Sequence, residues 1–515
     1  MAAHGLFARQ PLADSLRSPA NGDPGLFGKM FDLDPLVVSD AQLVALAAEL
    51  KDTASQEDDA EGDSSIPAGF TYLGQFIDHD ITLDTTSLAE TIEDPEAREN
   101  FRTPALDLDS VYGLGPGGSP HLYERDPGTL RVGPKLLLGT AAQSPAINSA
   151  GQVIRIIPDM VDHDLPRNPR TGIAIIGDPR NDENLLVAQT HVAFMRFHNK
   201  VVDSLRAQGV PAGEQFGRAR ALVTWHYQWI VLHEFLETIT GEVGIAQRIL
   251  HAGRKFYRFQ KFPFMPIEYA VAAYRFGHSM VRELYSHNFV FRPGGAVPAS
   301  LDLLFAFTAK SGQIVGSLLP PPAPPNPLPG PVLPSNWVID WRRFFDFGTP
   351  AGTPGFRLNK ARRIDPFVTP TLHRLPGEAG NEAILPFRNL KRGVMMKLPS
   401  GQDVANHMGI APLTPAEIGD KGADGAMART QGLHAATPLW YYVLKEAEIR
   451  ADGQHLGPVG ATIVAEVLIG IVQGSKAAYL SAQPAFQPTL GAVPGQFTMV
   501  DLLRFADVVN PIGDA

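Results

Sequence analysis

Between Gln75 and Asp80 the chain reads Gln-Phe-Ile-Asp-His-Asp, which sets His79 between two carboxylates with an amide four residues upstream. Phe70, Leu73, Phe76 and Ile77 recur at helical spacing, so Gln75 and His79 share one face at i, i+4 while Asp78 and Asp80 turn to its two sides. Ionisable groups among apolar residues are costly to bury unless each has a partner or a reaction to serve. Such an imidazole is suited to proton transfer; a surface cluster that caps a helix end is the plainer alternative, and this stretch alone does not separate the two.

A second stretch, Thr103-Pro-Ala-Leu-Asp107-Leu-Asp109, places two carboxylates two residues apart in a segment without helical spacing. They can turn toward one point, the Thr103 hydroxyl and the carbonyls of Thr103 and Ala105 can join them, and Asp80 is a candidate for a further oxygen. Oxygen ligands in a flexible loop suit calcium rather than zinc, against the alternative of an Asx-rich turn. The third, Gly177-Asp178-Pro179-Arg180-Asn181-Asp182-Glu183-Asn184, is ordinary capping chemistry ahead of a long helix, yet Arg180 and Glu183 are spaced to face one cavity. The fourth, Tyr274-Arg275-Phe276-Gly277-His278-Ser279, reads as mid-helix. There Gly277 gives up as much as ~1 kcal/mol of helix propensity, which makes sense if something flat approaches the backbone beside His278.

The elements that must position these groups are mostly helices. Apolar residues at helical spacing mark helices over 182–208, 216–240, 267–285 and 501–509; short strands are expected at 151–157 and 172–176. Residues 51–65 are acidic and read as a solvated linker. Residues 1–65 are therefore expected to form an arm and linker, and 66–515 one large helical body with long loops and few short strands. Nine prolines among seventeen residues from Leu318 to Pro334 read as a polyproline-like surface loop. Asp162-His163-Asp164 copies the first triplet without an upstream glutamine and reads as surface. His191 with His198, and His226 with His233, read as satisfied interhelical pairs.

Composition sets the outer bounds. Of 515 residues, 44% are hydrophobic and 19% charged, which describes a globular chain with a sizeable core. The net charge, 44 − 54 = −10, argues against nucleic acid or an anionic membrane as the main partner. The absence of cysteine excludes disulfides, thiolate metal sites and Cys-x-x-Cys-His haem attachment. No apolar run is long enough to span a membrane, and Met1–Ser15 lacks a Sec-type pattern, so the expectation is a cytoplasmic location or export by a signal-less route.

The four stretches, in this order, resemble the animal-type haem peroxidases of the peroxidase–cyclooxygenase superfamily, in their bacterial branch, over about residues 70–392. The resemblance implies a mainly α-helical fold around one buried haem b. It implies that His79 is the distal histidine, Gln75 the residue that hydrogen-bonds distal water or halide, and Arg180 the distal arginine. Asp78 and Glu183 match carboxylates that form esters with haem methyl groups, and His278 matches the proximal iron ligand. Arg275 and Arg392 match propionate partners, and Asn389, in Arg388-Asn389-Leu390-Lys391-Arg392, matches the acceptor of the proximal imidazole N–H. Asp80, Thr103, Ala105, Asp107 and Asp109 match calcium ligands, with Asp109 where vertebrate members usually carry serine.

The chemistry so implied is reduction of hydrogen peroxide through a ferryl-oxo species that then oxidises bromide, iodide, thiocyanate or phenols. His79 would carry the proton and Arg180 would stabilise charge as the O–O bond breaks. Cyclooxygenases and fatty-acid dioxygenases place a radical-forming tyrosine three residues before the proximal histidine; Arg275 stands there, so dioxygenation is the lesser alternative. The chloride-oxidising leukocyte member has methionine after the ester glutamate; Asn184 stands there, which moves the expectation away from chloride. A non-haem metallohydrolase and a non-catalytic adhesion module on the same fold are the readings from other classes.

Overall fold

Ser39 begins the chain's first helix in the computed structural model, α1 (Asp40–Ala48): its hydroxyl accepts from Gln42 N while the Gln42 side chain accepts from Ser39 N. The structure describes residues 25–54, 62–83, 98–306, 308, 332–350, 352–375 and 378–514. Much of the expected N-terminal arm, and the proline-rich loop except for residues 332–334, lies outside them. The described part of the arm is docked. Leu43 and Leu46 are buried, Lys391 pairs with Asp40 at 2.7 Å, and Phe27–Gly28 pairs in parallel with Met265–Pro266.

Helix α2 (Gly69–Ile81) carries the first chemical stretch as expected. Its first turn runs against the Phe344 carbonyl and the Phe345 ring, where any Cβ at residue 69 would collide. Helix α3 (Leu185–Ala207) starts later than the spacing suggested. Asn184 caps it by accepting from Val187 N, and a 3₁₀ turn, Pro179–Asp182, precedes it. Helix α4 (Ala212–Ile230) continues through a π turn (Val231–Phe235) into Leu236–Thr240, where Gly241 at φ 65° ends the expected 216–240 run.

The expected helix over 267–285 stops short. A π turn (Glu268–Ala272) passes into a 3₁₀ turn (Ala273–His278), because Ser279 donates from both N and Oγ to the Phe276 carbonyl, at 3.1 and 2.9 Å. Beyond it Arg282 is drawn to Asp63, and Leu284–Tyr285 pairs with Ala299–Ser300. Helix α5 (Leu385–Met395) follows, and α6 (Leu439–Ala451) and α7 (Pro458–Gly474) bury most of their surface in one continuous apolar core. Glu466 sits inside α7 and is satisfied there by the amides of Lys255, Phe256 and Tyr257 at 2.7, 2.7 and 2.8 Å. Strands among the described residues occur only as two-stranded pairs. No helix among them is long and apolar enough to cross a membrane.

Three local expectations are corrected. The ends of the acidic 51–65 segment are tied to the body, not free: Arg362 pairs with Asp52 and Asp63 at 3.0 and 3.1 Å, and Asp63–Pro67 forms a strand with Lys360–Arg362. Residues 172–176 make one isolated bridge, Arg167 to Ala174, rather than a strand. Asp162-His163-Asp164 lies on the strand Met160–Asp164, and Asp164 is buried because Arg167 holds it at 2.8 Å. The late helix is Met499–Phe505.

Glu234, in the α4 π turn, accepts from Met499 N at 2.7 Å, and burial pushes its carboxyl up to about 8. A carboxyl raised in the folded state contributes stability below its unfolded pKa that is lost as pH rises through 8. Glu234→Gln is therefore expected to gain melting temperature relative to wild type between pH 5 and pH 9, read by thermal unfolding at both. A gap that stays constant with pH would contradict a neutral buried Glu234.

Candidate functional site

On α2, Gln75 and His79 do share a face, and Glu183 closes it from the start of α3. Gln75 Nε2 donates to Glu183 Oε1, Asn184 Nδ2 donates to Gln75 Oε1 at 2.9 Å, and His79 Nε2 lies 3.4 Å from Glu183 Oε1. The other ring nitrogen, His79 Nδ1, is 2.8 Å from Asn181 Oδ1. Asn184, which the capping pattern marks only as a helix start, thus also orients Gln75.

Arg180 does not point where Glu183 points. Its Nε and Nη2 pair with Asp178, at 3.2 and 2.8 Å, and Nη2 also donates to the carbonyls of His79 and Thr82 at 2.9 and 2.7 Å. The cause is the 3₁₀ turn, in which Asp178 caps Arg180 N and draws its guanidinium back. Burial alone would push the Asp178 carboxyl up, but Arg180 and Arg102 together hold it well below the usual carboxylate range. Among the described residues Nη1 of Arg180 has no partner, which leaves that one nitrogen for a negatively charged group.

The calcium candidates gather on the outer side of α2. Asp80 is fully buried, and one oxygen each of Asp80, Asp107 and Asp109 lie within 4.8 Å of one another. Asp80 accepts from Leu108 N at 3.1 Å and Ser110 Oγ at 3.3 Å, which ties the loop to the helix. Burial raises all three carboxyls, and the neighbouring carboxylates raise Asp80 and Asp109 further, Asp109 to about 7 although Arg102 stands at 2.9 Å. Uncompensated repulsion of this kind is what a bound cation relieves, so the donor set fits one. Thr103 and Ala105 share the partly exposed alternation of Asp107 and Asp109; their carbonyls accept from Ala105 N and Asp107 N at 2.8 and 2.9 Å. Arg102, overlooked because nothing in its local pattern marks it, is buried between Asp109 and Asp178 and joins the carboxylate loop to the Asp178–Arg180 pair.

Across from α2, His278 ends the Ala273–His278 turn. Its Nδ1 is 2.9 Å from the Asn389 amide nitrogen, while Arg275 Nη1 donates to Asn389 Oδ1 at 3.3 Å and Arg275 Nε to Ala270 O at 3.1 Å. This reverses the expected sense: Arg275 holds the amide oxygen, so the amide nitrogen faces the imidazole. Burial, and then Arg275, push the His278 imidazole down to about 3, with Glu183 opposing. Glu183 thus stands beside His79 and also acts electrostatically on His278. His278 Nε2 has no partner among the described residues, and a Cβ at Gly277 would meet nothing within 4 Å. The wall beside His278 is open.

Asp78 turns to the same side: its Oδ1 accepts from Thr82 Oγ1 at 2.8 Å, and its charge helps burial raise the hydroxyls of Tyr269 and Tyr274. Tyr274 donates to the Gly74 carbonyl at 3.3 Å, a packing contact between α2 and the His278 turn. Arg392 lies one helical turn beyond Asn389 on α5. Of the histidines set aside, His198 meets Tyr112 Oη and Pro134 O at 3.0 and 2.9 Å, His226 meets Leu222 O at 2.7 Å, and His233 meets Tyr479 Oη at 2.9 Å. His191 is different: its Nδ1 is 2.9 Å from Asn181 Nδ2, which joins it to His79.

Residues 85–293 match the family model described as animal haem peroxidase. Thyroid peroxidase of Mus musculus is 27% identical over 194 residues, which is 37% of this chain and 20% of that protein. The chain thus spans about a fifth of the length of that relative. Among solved structures, peroxidase A from Dictyostelium discoideum aligns over 97% of this chain and 98% of its own at 14% identity, with a TM-score of 0.61. A fatty acid alpha-dioxygenase from Oryza sativa aligns over 95% and 80% at 11% identity, with a TM-score of 0.59. The expected mainly α architecture is the one these neighbours share.

Proposed function

We propose that this chain, whose residues 85–293 match the animal haem peroxidase model, binds haem b between α2 and the Ala273–His278 turn, reduces hydrogen peroxide there and oxidises small donors. The observation that carries this reading is His278. It is a half-buried imidazole, held neutral by desolvation, whose Nδ1 lies 2.9 Å from the Asn389 amide and whose Nε2 has no partner among the described residues. Histidine ligates iron through a bare Nε2, which requires the ring proton on Nδ1 and the Asn389 oxygen, in place of its amide nitrogen, turned toward it.

His278 would hold the iron, Asp78 and Glu183 would be the ester carboxylates, and Arg275 and Arg392 the propionate partners. Were Arg275 engaged by a propionate, the Asn389 amide would be free to turn its oxygen to His278 Nδ1–H, which would make the imidazole a stronger donor. The haem, when bound, supplies the electrons that reduce the O–O bond. The chain supplies the proton path. His79 Nε2 accepts a proton from hydrogen peroxide and returns it to the oxygen that leaves as water. Gln75, held by Asn184 and Glu183, presents polar atoms beside that nitrogen. Bromide, iodide, thiocyanate and phenols are the donors we favour, because Asn184 is spent on capping α3 and on Gln75 where a chloride-oxidising site needs a methionine. Dioxygenation is disfavoured by Arg275 at the tyrosine position and by Tyr274, which is bonded to the Gly74 carbonyl.

The test is the absorption spectrum of the chain reconstituted with haem, followed by one addition of peroxide. A Soret band that shifts within seconds, and haem that resists acid–butanone extraction after turnover, are expected. No Soret band with haem in excess would overturn the reading and favour a non-catalytic role for the fold.

We also place calcium at Asp80, Asp107 and Asp109, with Thr103 and Ala105 contributing oxygens. Chelator should lower the melting temperature of wild type and restored calcium should raise it, whereas Asp109→Ala should not respond to either. An equal response in the variant would remove Asp109 from the site.

A further inference from the structure

Asn181 has no role in any motif, yet it is the residue that touches the His79 ring. His79 Nδ1 lies 2.8 Å from Asn181 Oδ1, and Asn181 Nδ2 lies 2.9 Å from His191 Nδ1. The three side chains come from α2, the Pro179–Asp182 turn and α3, and all are buried, at 4%, 0% and 0% exposure. A carboxamide accepts at one end and donates at the other, so its orientation sets the tautomers of both rings at once. With Oδ1 toward His79, the neutral ring carries its proton on Nδ1 and keeps a lone pair on Nε2, while His191 offers a bare Nδ1. With the amide reversed, the proton sits on His79 Nε2 and the base is lost.

We propose that Asn181, backed by His191, is a positioning residue that holds His79 in the tautomer able to accept a proton at Nε2. This inference rests on the peroxidase reading above and deepens it. Among the described residues the competitor for the ring proton is Glu183 Oε1, which stands 3.4 Å from Nε2 and already receives the Gln75 amide. The 2.8 Å contact to Asn181 is the stronger claim. His191 is itself fixed: Phe76 packs edge-on against it at 6.0 Å and stacks on Phe194 at 4.7 Å, so the α2–α3 seam holds the ring. Burial pushes His191 down to about 3, with Arg102 and His79 acting the same way and Asp178 opposing, so it stays an acceptor at neutral pH. The other charged groups facing the trio are Glu183 and Arg180. The step assigned here is proton transfer alone: an O–H bond of hydrogen peroxide breaks, the Nε2–H bond forms, and the Nδ1 proton stays on its hydrogen bond to Asn181.

The first readout needs no haem. In the full chain labelled with ¹⁵N-histidine at pH 8, the His79 ring signals, identified by their loss in His79→Gln, should report a protonated Nδ1 and a bare Nε2. Asn181→Val should shift that balance toward the Nε2–H form. In haem-loaded protein the same variant should slow the peroxide-driven Soret change about 10- to 100-fold at unchanged haem content. Asn181→Asp keeps the acceptor oxygen; it should restore most of the rate and move the acid limb of the pH–rate profile upward, since a carboxylate makes the ring more basic. An Nε2–H form in the wild type, or an Asn181→Val protein with wild-type tautomer and rate, would overturn the proposal. If Asn181→Val fails to fold, an unmoved acid limb in Asn181→Asp overturns it just as well. Absence of any Soret band in wild type would instead defeat the peroxidase reading, and the tautomer result would stand apart from it.

Discussion

Replacing His79 with alanine should slow the peroxide-driven Soret change by about 10²- to 10⁴-fold while haem content stays near that of wild type. The separation of the two effects follows from geometry. His79 sits on α2 with Nε2 toward Glu183 and Nδ1 on Asn181, and it makes no contact with His278 or Asn389, which hold the opposite wall. Its loss removes the proton acceptor and leaves a small cavity in a helix whose apolar face, Leu73, Phe76 and Ile77, stays fully packed. Stopped-flow absorbance against peroxide concentration measures the second-order rate directly. A variant that reacts at the wild-type rate would show that another base serves, and the assignment of His79 would fall. A variant that loses haem would show instead that α2 collapses without the ring.

The face that carries Gln75 and His79 was readable because helical periodicity and ionisable residues coincide over a single element, and α2 forms as that spacing requires. The same holds for Asp107 and Asp109, which the alternation of a short loop points one way. What the chain order hides are partners from distant segments. Arg102 ties Asp109 to Asp178, 69 positions apart, and neither neighbour is visible from the arginine's own sequence context. Asn181 carries no signal of its own, and His191 reads as one of an interhelical pair; the Pro179–Asp182 turn brings both to His79. Two misreadings have local causes. Amphipathic spacing continues beyond His278, but Ser279 closes the turn on the Phe276 carbonyl, and a periodicity argument does not see that competition. Helical spacing lets Arg180 and Glu183 face one cavity; the segment at Arg180 is 3₁₀, and Asp178 captures the guanidinium first.

His278→Ala should lose most of its haem, read as a Soret-to-280 nm ratio that falls toward the level of haem added to an unrelated protein. Two other contacts are proposed to hold the group, so the size of the loss has to be argued. Esters at Asp78 and Glu183 would form only by reaction with peroxide, and an iron without its nitrogen ligand does not start that reaction. The arginines Arg275 and Arg392 supply charge but no iron donor. Burial pushes the His278 imidazole down, which favours the neutral form that a metal needs. Asn389→Ala separates ligation from tuning. It leaves His278 in place but frees its Nδ1, and outer-shell losses of this kind cost about 10- to 100-fold in affinity or activity rather than abolishing binding. The expected order of haem content is therefore wild type, then Asn389→Ala, then His278→Ala. Haem retained by His278→Ala at the wild-type level, with an unchanged spectrum, would mean that the iron ligand is another residue. His278 would then be only a half-buried histidine held by Asn389.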